Sequence, residues 1–263
     1  MKTARRIAKK MLWLRTLDNV RAILTYHSID PSGSPISLDA GALRRHVAWL
    51  RSGRVEVLPL DKVLATPSER DALAITFDDG FANFADVAWP LFEEHALPVT
   101  LFVATARVGN DNAWDGNHSR AIPTLPLLAW DALGRMVARG LALGSHSRTH
   151  AHLPRVSDAQ LADELDGSAA DIERELGLRP ATFCYPYGEV DARVRAAVAA
   201  RYACACTTEL RVLGAREDPH LLPRLDAYYY RANDRLEGFG SGAFRRHLWL
   251  RARARRLRAA LGG

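Results

Sequence analysis

Two histidines and two aspartates stand in short polar motifs that suit metal and acid–base chemistry. His146 and His150 lie four residues apart, a spacing that places both imidazoles on one side of a helical turn or tight loop. Asp78 and Asp79 are adjacent, and adjacent strand residues point to opposite faces, so they share a site only where the strand has ended. Two imidazoles, one carboxylate and an open position for water form the ligand set of a catalytic zinc site.

Each motif also has an ordinary structural explanation. An Asp-Asp-Gly sequence is typical of a solvated turn, and a single histidine is often a structural residue. No glutamate follows His146, so the His-Glu-x-x-His metalloprotease motif is excluded. A third segment, Phe-Cys-Tyr-Pro-Tyr-Gly at 183–188, predicts a strand that ends in a turn. A backbone N–H in that turn would stabilise an oxyanion, or the turn holds only a packed tyrosine.

The motifs follow apolar runs that predict the strands of a parallel sheet. Strands are predicted over 22–26, 72–77, 99–104, 141–144, 181–185, 203–207 and 221–226. Helices are predicted over 39–53, 84–95, 130–139, 158–176 and 191–201. This alternation predicts right-handed parallel crossovers, in a barrel or a doubly wound sheet. At least four of these apolar runs end in a polar cluster. This favours a barrel, because the carboxyl ends of its strands all open onto one mouth.

In combination, the three motifs resemble the carbohydrate esterase family 4 deacetylases, the NodB homology domain, over most of the chain. The family's Thr-Phe-Asp-Asp-Gly motif stands at 76–80, its His-Ser/Thr-x-x-His motif at 146–150, and its third motif at 184–188. The resemblance implies an α/β fold, a distorted (β/α)7 barrel. It also implies a metal-dependent hydrolase that removes an N-acetyl group from an amino sugar in a glycan or lipid-linked glycan precursor.

The resemblance also implies a role for each matching residue. Asp78 is expected to be the general base, and Asp79, His146 and His150 the ligands of one divalent transition metal. Zinc is the first expectation, although cobalt, nickel, manganese or iron could occupy the same ligands. The backbone N–H of Tyr187 is implied to help hold the oxyanion. Two other readings stay open: a non-catalytic glycan-binding barrel, and a deformylase or other amidohydrolase on a related scaffold.

The sequence departs from the family pattern at two positions. Cys184 replaces the arginine that orients the catalytic aspartate in the family, and Arg224 is expected to supply that guanidinium from another direction. The alternative for Arg224 is a surface ion pair. The family's late general-acid motif has no convincing copy, and His247 lies in a basic tail. His27, at the end of the first strand, matches the circularly permuted branch that includes poly-N-acetylglucosamine deacetylases, and is the predicted general acid.

Composition and charge place these motifs in a globular body with basic ends. The chain has 263 residues, 48% hydrophobic and 25% charged, which excludes disordered and multi-span membrane classes. Residues 245–263 hold seven arginines and no acid, and residues 1–21 hold seven bases and one acid. We therefore predict a basic segment over 1–21, a deacetylase barrel over 22–244 and a basic segment over 245–263. No nucleic-acid-binding motif accompanies these bases, so nucleic acid is not the expected partner.

Both ends carry an apolar stripe among their bases. Residues 4, 7, 8, 11 and 14 form one stripe, and residues 250, 254, 257 and 261 form the other. Such helices suit peripheral contact with an anionic membrane, and a lipid-linked sugar is then the expected substrate. The alternative is that each stripe packs on the barrel. No apolar run is long enough for a signal peptide or a span, and the three cysteines suit free thiols, so a cytoplasmic location is expected.

A long loop is predicted over 109–126, near the mouth of the barrel. Long ordered loops are often functional. Its Trp114 is expected either to stack on a sugar ring or to anchor the loop in a small satellite core.

Overall fold

A curled parallel sheet with helices between its strands makes up the fold. The computed structural model describes residues 19–65, 70–114, 121–232 and 235–260. The N-terminal stripe and Leu261 lie outside these residues. The strands are β1 Arg21–Tyr26, β2 Ser28–Ile29, β3 Ser37–Leu38, β4 Glu56–Val57, β5 Ala72–Phe77, β6 Thr100–Val103, β7 Ala142–Ser145, β8 Thr182–Cys184, β9 Cys204–Cys206 and β10 Leu225–Asp226. The α-helices are α1 Ala40–Leu50, α2 Leu60–Ala65, α3 Trp89–Glu94, α4 Trp130–Val137, α5 Asp158–Ala162, α6 Ser168–Leu176, α7 Ala192–Ala199 and α8 Gly242–Ala260.

The strands pair in the order β10-β1-β5-β6-β7-β8-β9, all in parallel, and β4 adds to the start of β5. Leu222 connects the two ends of this sheet. Its N–H donates to Ala205 at 2.9 Å and its carbonyl accepts from Thr207 at 2.8 Å, while Leu225 pairs with Leu24 of β1. The predicted class, a distorted (β/α)7 barrel, is confirmed.

Alternate residues of the strands pack on opposite sides of the sheet. In β5 all six residues are buried: Leu73, Ile75 and Phe77 belong to the large core shared with the helices. Ala72 and Ala74 belong to a second cluster, with Cys184 of β8 and Cys206 of β9. A strand covered on both faces must be apolar throughout, which is why these runs do not alternate in polarity.

The helix predicted over 158–176 is interrupted. A π-helical turn at Asp163–Gly167 separates α5 from α6 and inserts an extra residue into the turn. Most other predicted elements are present with ends shifted by a few residues. β2, β3, β4 and α2 were not predicted, because segments of two to six residues are too short to show a hydrophobic period.

The C-terminal helix α8 packs on the barrel only near its start. Phe244 and Leu248 are buried in the large core. Trp249, Leu250 and Leu257 are 55%, 54% and 61% exposed. Leu250 and Leu257 of the C-terminal stripe are therefore not packed on the barrel, which was one of the two predicted arrangements. Among the described residues, the structure contains no helix with both the length and the hydropathy needed to cross a membrane.

Gly144 of β7 is expected to be a stability determinant. A Cβ atom there would lie 2.5 Å from Phe102 Cδ1 and 2.6 Å from Thr182 Oγ1. Gly144→Ala should therefore lower the free energy of unfolding by about 1–3 kcal/mol through overpacking, measured by urea denaturation. Gly134→Ala is the matched control: in α4 its Cβ would meet only Leu176 Cδ2, at 3.4 Å, so stability should be kept or raised. Equal unfolding midpoints for the two variants would contradict the prediction.

Candidate active site

The carboxyl ends of the strands open on one cleft with a volume of about 190 Å³. Residues that follow β1, β5, β7 and β8 reach it, together with a residue that precedes β10. All eight residues that the sequence analysis assigned to the site line this cleft: His27, Asp78, Asp79, Trp114, His146, His150, Tyr187 and Arg224.

Unusual backbone geometry concentrates at the cleft. Among the described residues, five that are not glycine have positive φ, and four of these belong to the site motifs: Asp79 at 72°, His150 at 65°, Ser147 at 64° and Tyr187 at 59°. Such conformations are costly and cluster where function requires them. The left-handed turn at Asp79 ends the strand alternation, which allows both adjacent carboxylates to point into the same cleft.

Asp79, His146 and His150 form a compact buried group. The Oδ1 atom of Asp79 lies 3.3 Å from His146 Nε2 and 3.4 Å from His150 Nε2. His146 follows β7 directly, and the turn through Ser147 returns His150 to the same point. The His150 backbone N–H donates to the Ser147 hydroxyl at 3.0 Å, which helps to hold this turn.

The hydrogen bonding of this group fits a divalent metal. His146 Nδ1 lies 2.7 Å from the Cys184 carbonyl, so Nδ1 donates a hydrogen to that carbonyl and Nε2 is the atom that faces Asp79. Burial lowers the pKa of His146, but contacts with Cys184 and Asp79 raise it well above its usual range, so a metal bound here would take the place of the Nε2 proton. Burial favours a higher pKa for Asp79, but the two imidazoles hold that pKa below its usual range. Two ring nitrogens and one carboxylate oxygen thus face a common point, with a backbone carbonyl fixing one ring.

Cys184 belongs to a second group of metal-type ligands, with Asp78 and His146. Burial raises the pKa of the Cys184 thiol to about 11, so the sulfur keeps its proton at neutral pH. The thiol donates to Asp78 Oδ2 at 3.6 Å. Because Arg224 bonds both Asp78 oxygens, this group suits a metal less well than Asp79, His146 and His150 do.

Asp78 is held by a buried bidentate pair with Arg224. Both N–H···O distances are 2.7 Å, and the two side chains are 2% and 1% exposed. Burial favours a higher pKa for Asp78, but the guanidinium outweighs it and holds that pKa below the usual range. Asp78 is therefore ionised at neutral pH, and the surface ion pair considered for Arg224 is not what the structure shows.

The remaining guanidinium hydrogens of Arg224 are bonded to three other parts of the barrel. Nε donates to the Thr207 carbonyl at 2.9 Å, after β9, and Nη1 donates to Thr25 of β1 at 3.0 Å. Nη2 lies 3.1 Å from the Cys184 sulfur on β8. The small side chain of Cys184 thus leaves room for a guanidinium that arrives from the segment before β10.

Arg224→Lys is expected to lower the free energy of unfolding by about 2 kcal/mol or more. Lysine keeps the charge but cannot form the bidentate pair, so buried partners lose hydrogen bonds. Because the folded-state pKa of Asp78 lies below its unfolded value, the pair's stabilisation is present near neutral pH and is lost as the pH falls. The variant should therefore lose less stability on acidification, as measured by urea unfolding at neutral and acidic pH. Arg174→Lys, which changes a 60% exposed arginine, is the control and should unfold like wild type. Identical unfolding of Arg224→Lys and Arg174→Lys would refute the prediction.

His27 lies far from His146 and His150 in sequence, but it lines the same cleft and lies beside Asp78. Its Nε2 atom is 3.6 Å from Asp78 Oδ2, and its side chain is 22% exposed. This leaves the ring accessible to a ligand in the cleft while keeping it beside the carboxylate. His247, the weaker candidate acid, lies on α8 beside Arg235 instead.

Glu164, in the π-helical turn, was not selected from the sequence. Its buried carboxylate accepts from the backbone N–H groups of Arg148 and Thr149, each at 2.9 Å. It therefore fixes the loop that carries His146 and His150. Its only sequence signal is an acidic residue inside a helix, which is not distinctive.

Tyr187 and Trp114 pack against the histidines. The Tyr187 ring lies edge-on to His150 and stacks on His152 at 4.0 Å between ring centroids. His152 in turn bonds Glu189 at 2.8 Å, which agrees with a supporting position outside the ligand set. Trp114 stacks on His150 at 4.2 Å, is 5% exposed, and shares a small cluster with Phe81 and Leu127. This is the arrangement expected of a loop anchor.

Comparisons with known proteins show which family the chain resembles over most of its length. The family model for polysaccharide deacetylases matches residues 65–203. YxkH of Bacillus subtilis (strain 168) is 24% identical over 240 residues, 88% of this chain and 78% of that protein. The poly-beta-1,6-N-acetyl-D-glucosamine N-deacetylase of Staphylococcus aureus (strain N315) is 23% identical over 168 residues, 58% of this chain. The match covers 54% of that enzyme, about half its length.

Solved structures with the same fold include IcaB from Ammonifex degensii, with a TM-score of 0.66 at 21% identity. The alignment covers 80% of this chain and 94% of that one. The Streptococcus pyogenes deacetylase PplD has a TM-score of 0.66 at 19% identity, covering 79% and 92%. With more than half of its length matched by the family model, this chain belongs to the polysaccharide deacetylase family.

Proposed function

We propose that this chain is a metal-dependent N-deacetylase, which hydrolyses the N-acetyl group of an amino sugar in a glycan and releases acetate. The observation that supports it best is the grouping in one cleft of an ionised Asp78, held by Arg224, with the ligand group Asp79, His146 and His150. A non-catalytic glycan-binding barrel would not need a buried carboxylate to be kept ionised against the cost of desolvation.

The residues of the chain divide the work of amide hydrolysis. Asp79, His146 and His150 would hold a divalent metal, which would supply Lewis-acid chemistry for the acyl carbonyl and the attacking water. Asp78 takes the proton of the attacking water, and Arg224 keeps its carboxylate in place. His27 gives a proton to the leaving amine, which is otherwise too basic to depart. The Tyr187 backbone N–H contributes to holding the oxyanion.

Zinc is the metal that we propose first. Two imidazoles and one carboxylate leave a fourth position open, as in catalytic zinc sites. Cobalt, nickel, manganese and iron accept the same ligands, so elemental analysis of the purified protein is the deciding measurement.

Acetate release from N-acetylglucosamine oligomers tests the function directly. The metal-loaded protein should release acetate, and a chelator should abolish the release. The corresponding N-formyl oligomers, run in parallel, test deformylation: a higher kcat/KM for the formyl series would favour a deformylase. Stoichiometric metal with no product from either series would favour the glycan-binding barrel.

We further propose that the protein acts at the cytoplasmic face of a membrane on a lipid-linked amino sugar, with α8 lying on the anionic surface. The support is the exposed Leu250 and Leu257, two helical turns apart, together with the arginines of α8. The three cysteines are free and buried, as suits a reducing compartment.

Co-sedimentation with vesicles tests the membrane proposal. Wild type should sediment with phosphatidylglycerol-containing vesicles and not with pure phosphatidylcholine. Substituting both Leu250→Ser and Leu257→Ser should reduce the bound fraction without changing the charge, whereas Arg174→Ser on α6 should not. Wild-type protein that stays in solution, or a double variant that binds equally, would reject the proposal.

A further inference from the structure

A second cavity, of about 470 Å³, lies beside the candidate active site. Its lining includes Asp226, Tyr228, Tyr229 and three arginines, and we call it the arginine pocket. The two cavities adjoin along two segments. Pro35 lines the arginine pocket and Ile36 lines the cleft, and Asp226 lines the pocket two residues after Arg224. The linings of the two cavities are therefore linked through the chain at both places.

The three arginines of the pocket, Arg231, Arg235 and Arg251, carry surplus positive charge. None of them has a carboxylate partner among the residues that the structure describes, whereas Arg148, Arg193 and Arg201 elsewhere on the barrel are each paired. Among the described residues of the wall, the one carboxylate is that of Asp226, which accepts from the Tyr228 backbone N–H at 3.0 Å. Burial raises the pKa of Asp226.

Tyrosines and a carbonyl hold two of these guanidinium groups in place. The Arg231 guanidinium lies over the Tyr228 ring at 3.6 Å and donates to the Tyr228 carbonyl at 2.8 Å. The Arg251 guanidinium, which comes from α8, lies 5.1 Å from the centre of the Tyr229 ring. Cation–π contacts orient the planar donors without neutralising them, so the N–H groups stay available to an anion.

We propose that the arginine pocket binds the phosphate of a phosphorylated amino-sugar substrate, whose N-acetyl group then reaches the cleft. Guanidinium groups from different segments suit the several oxygens of a phosphate or diphosphate, and the volume is that of a small-ligand site. The inference rests on the proposed deacetylase function. The same chemistry is present in a soluble sugar phosphate and in a lipid-linked one.

Calorimetry with N-acetylglucosamine 1-phosphate, inorganic pyrophosphate and unphosphorylated N-acetylglucosamine tests the pocket without requiring turnover. Arg251→Ala and Arg231→Ala should each weaken sugar-phosphate binding about tenfold, since a hydrogen bond to a charged group is lost. Arg253→Ala is the matched control, because it removes the same charge from α8 but stacks on Trp249 outside the pocket. Failure of wild type to prefer the phosphorylated sugar, or equal binding by all variants, would overturn the inference.

Kinetics separate this inference from the proposed function. Arg251→Ala should raise KM about tenfold for the phosphorylated sugar, whereas Arg253→Ala should keep the wild-type KM. Equal kcat/KM for both sugars in wild type would reject the pocket while the deacetylase function stands. No acetate from any sugar would reject the function, and calorimetry would still decide the pocket. A further substrate tells a soluble sugar phosphate from a lipid-linked one. This substrate is a dodecyl ester of the sugar phosphate, presented in phosphatidylcholine vesicles. A higher kcat/KM for the ester than for the soluble sugar phosphate identifies a lipid-linked substrate.

Discussion

The Asp78→Asn variant is expected to release acetate about 10²–10⁴-fold more slowly than wild type, which is the usual contribution of one acid–base group. Arg224 keeps the Asp78 carboxylate ionised in a buried site, so the base is ready to take a proton at neutral pH. An amide of nearly the same shape still accepts from Arg224 but takes no proton from water. The measurement is initial-rate acetate release, with the metal content of both proteins determined beside it.

The control for this variant is Asp158→Asn, which changes a 90% exposed carboxylate that pairs with Arg193. It should release acetate at the wild-type rate. Asp78→Asn protein that keeps its metal and its fold, shown by an unfolding curve, yet remains as active as wild type would remove Asp78 from the mechanism. Loss of metal in Asp78→Asn would instead assign Asp78 to the ligand set.

His146→Ala is expected to lose its transition metal and, with it, all measurable acetate release. Altering a residue that only supports a metal ligand costs about 10–100-fold in affinity, so removing a ligand should cost at least as much. Of the three ligand residues, His146 is the one whose ring is oriented by a backbone carbonyl, so its loss removes a preorganised ligand atom. Elemental analysis of the purified variant measures this and also identifies the metal.

Two further variants make the metal prediction specific. His150→Ala should show the same loss, because its Nε2 atom faces the same carboxylate oxygen. His95→Ala should keep the metal, since His95 follows α3, its Nε2 atom lies 4.0 Å from Glu94, and it does not line the cleft. Equal metal contents in all three variants would show that the metal, if bound, lies elsewhere.

Local sequence was sufficient to expect two histidines and a strand-end aspartate at one edge of the sheet, and the family resemblance implied that this aspartate is Asp79. Asp79 and the pair His146 and His150 each follow an apolar run directly, so once the runs become parallel strands their ends must meet at one edge. The alternation of strand and helix patterns predicted that sheet, because buried parallel strands are apolar throughout and the connecting helices are long enough to show their period.

The sequence analysis expected Arg224 to supply the guanidinium for Asp78, and the structure shows that pair, but local sequence could not determine how the two side chains meet. Arg224 lies 146 residues from Asp78 and reaches it only because β10 pairs with β1, which pairs with β5. Its guanidinium is then bonded by four segments at once, and Cys184 leaves the space that it occupies. The contacts of Glu164 and the arginine pocket likewise form only when distant segments of the chain come together in the fold. Contacts between distant segments depend on register and packing, and no local period in the chain records them.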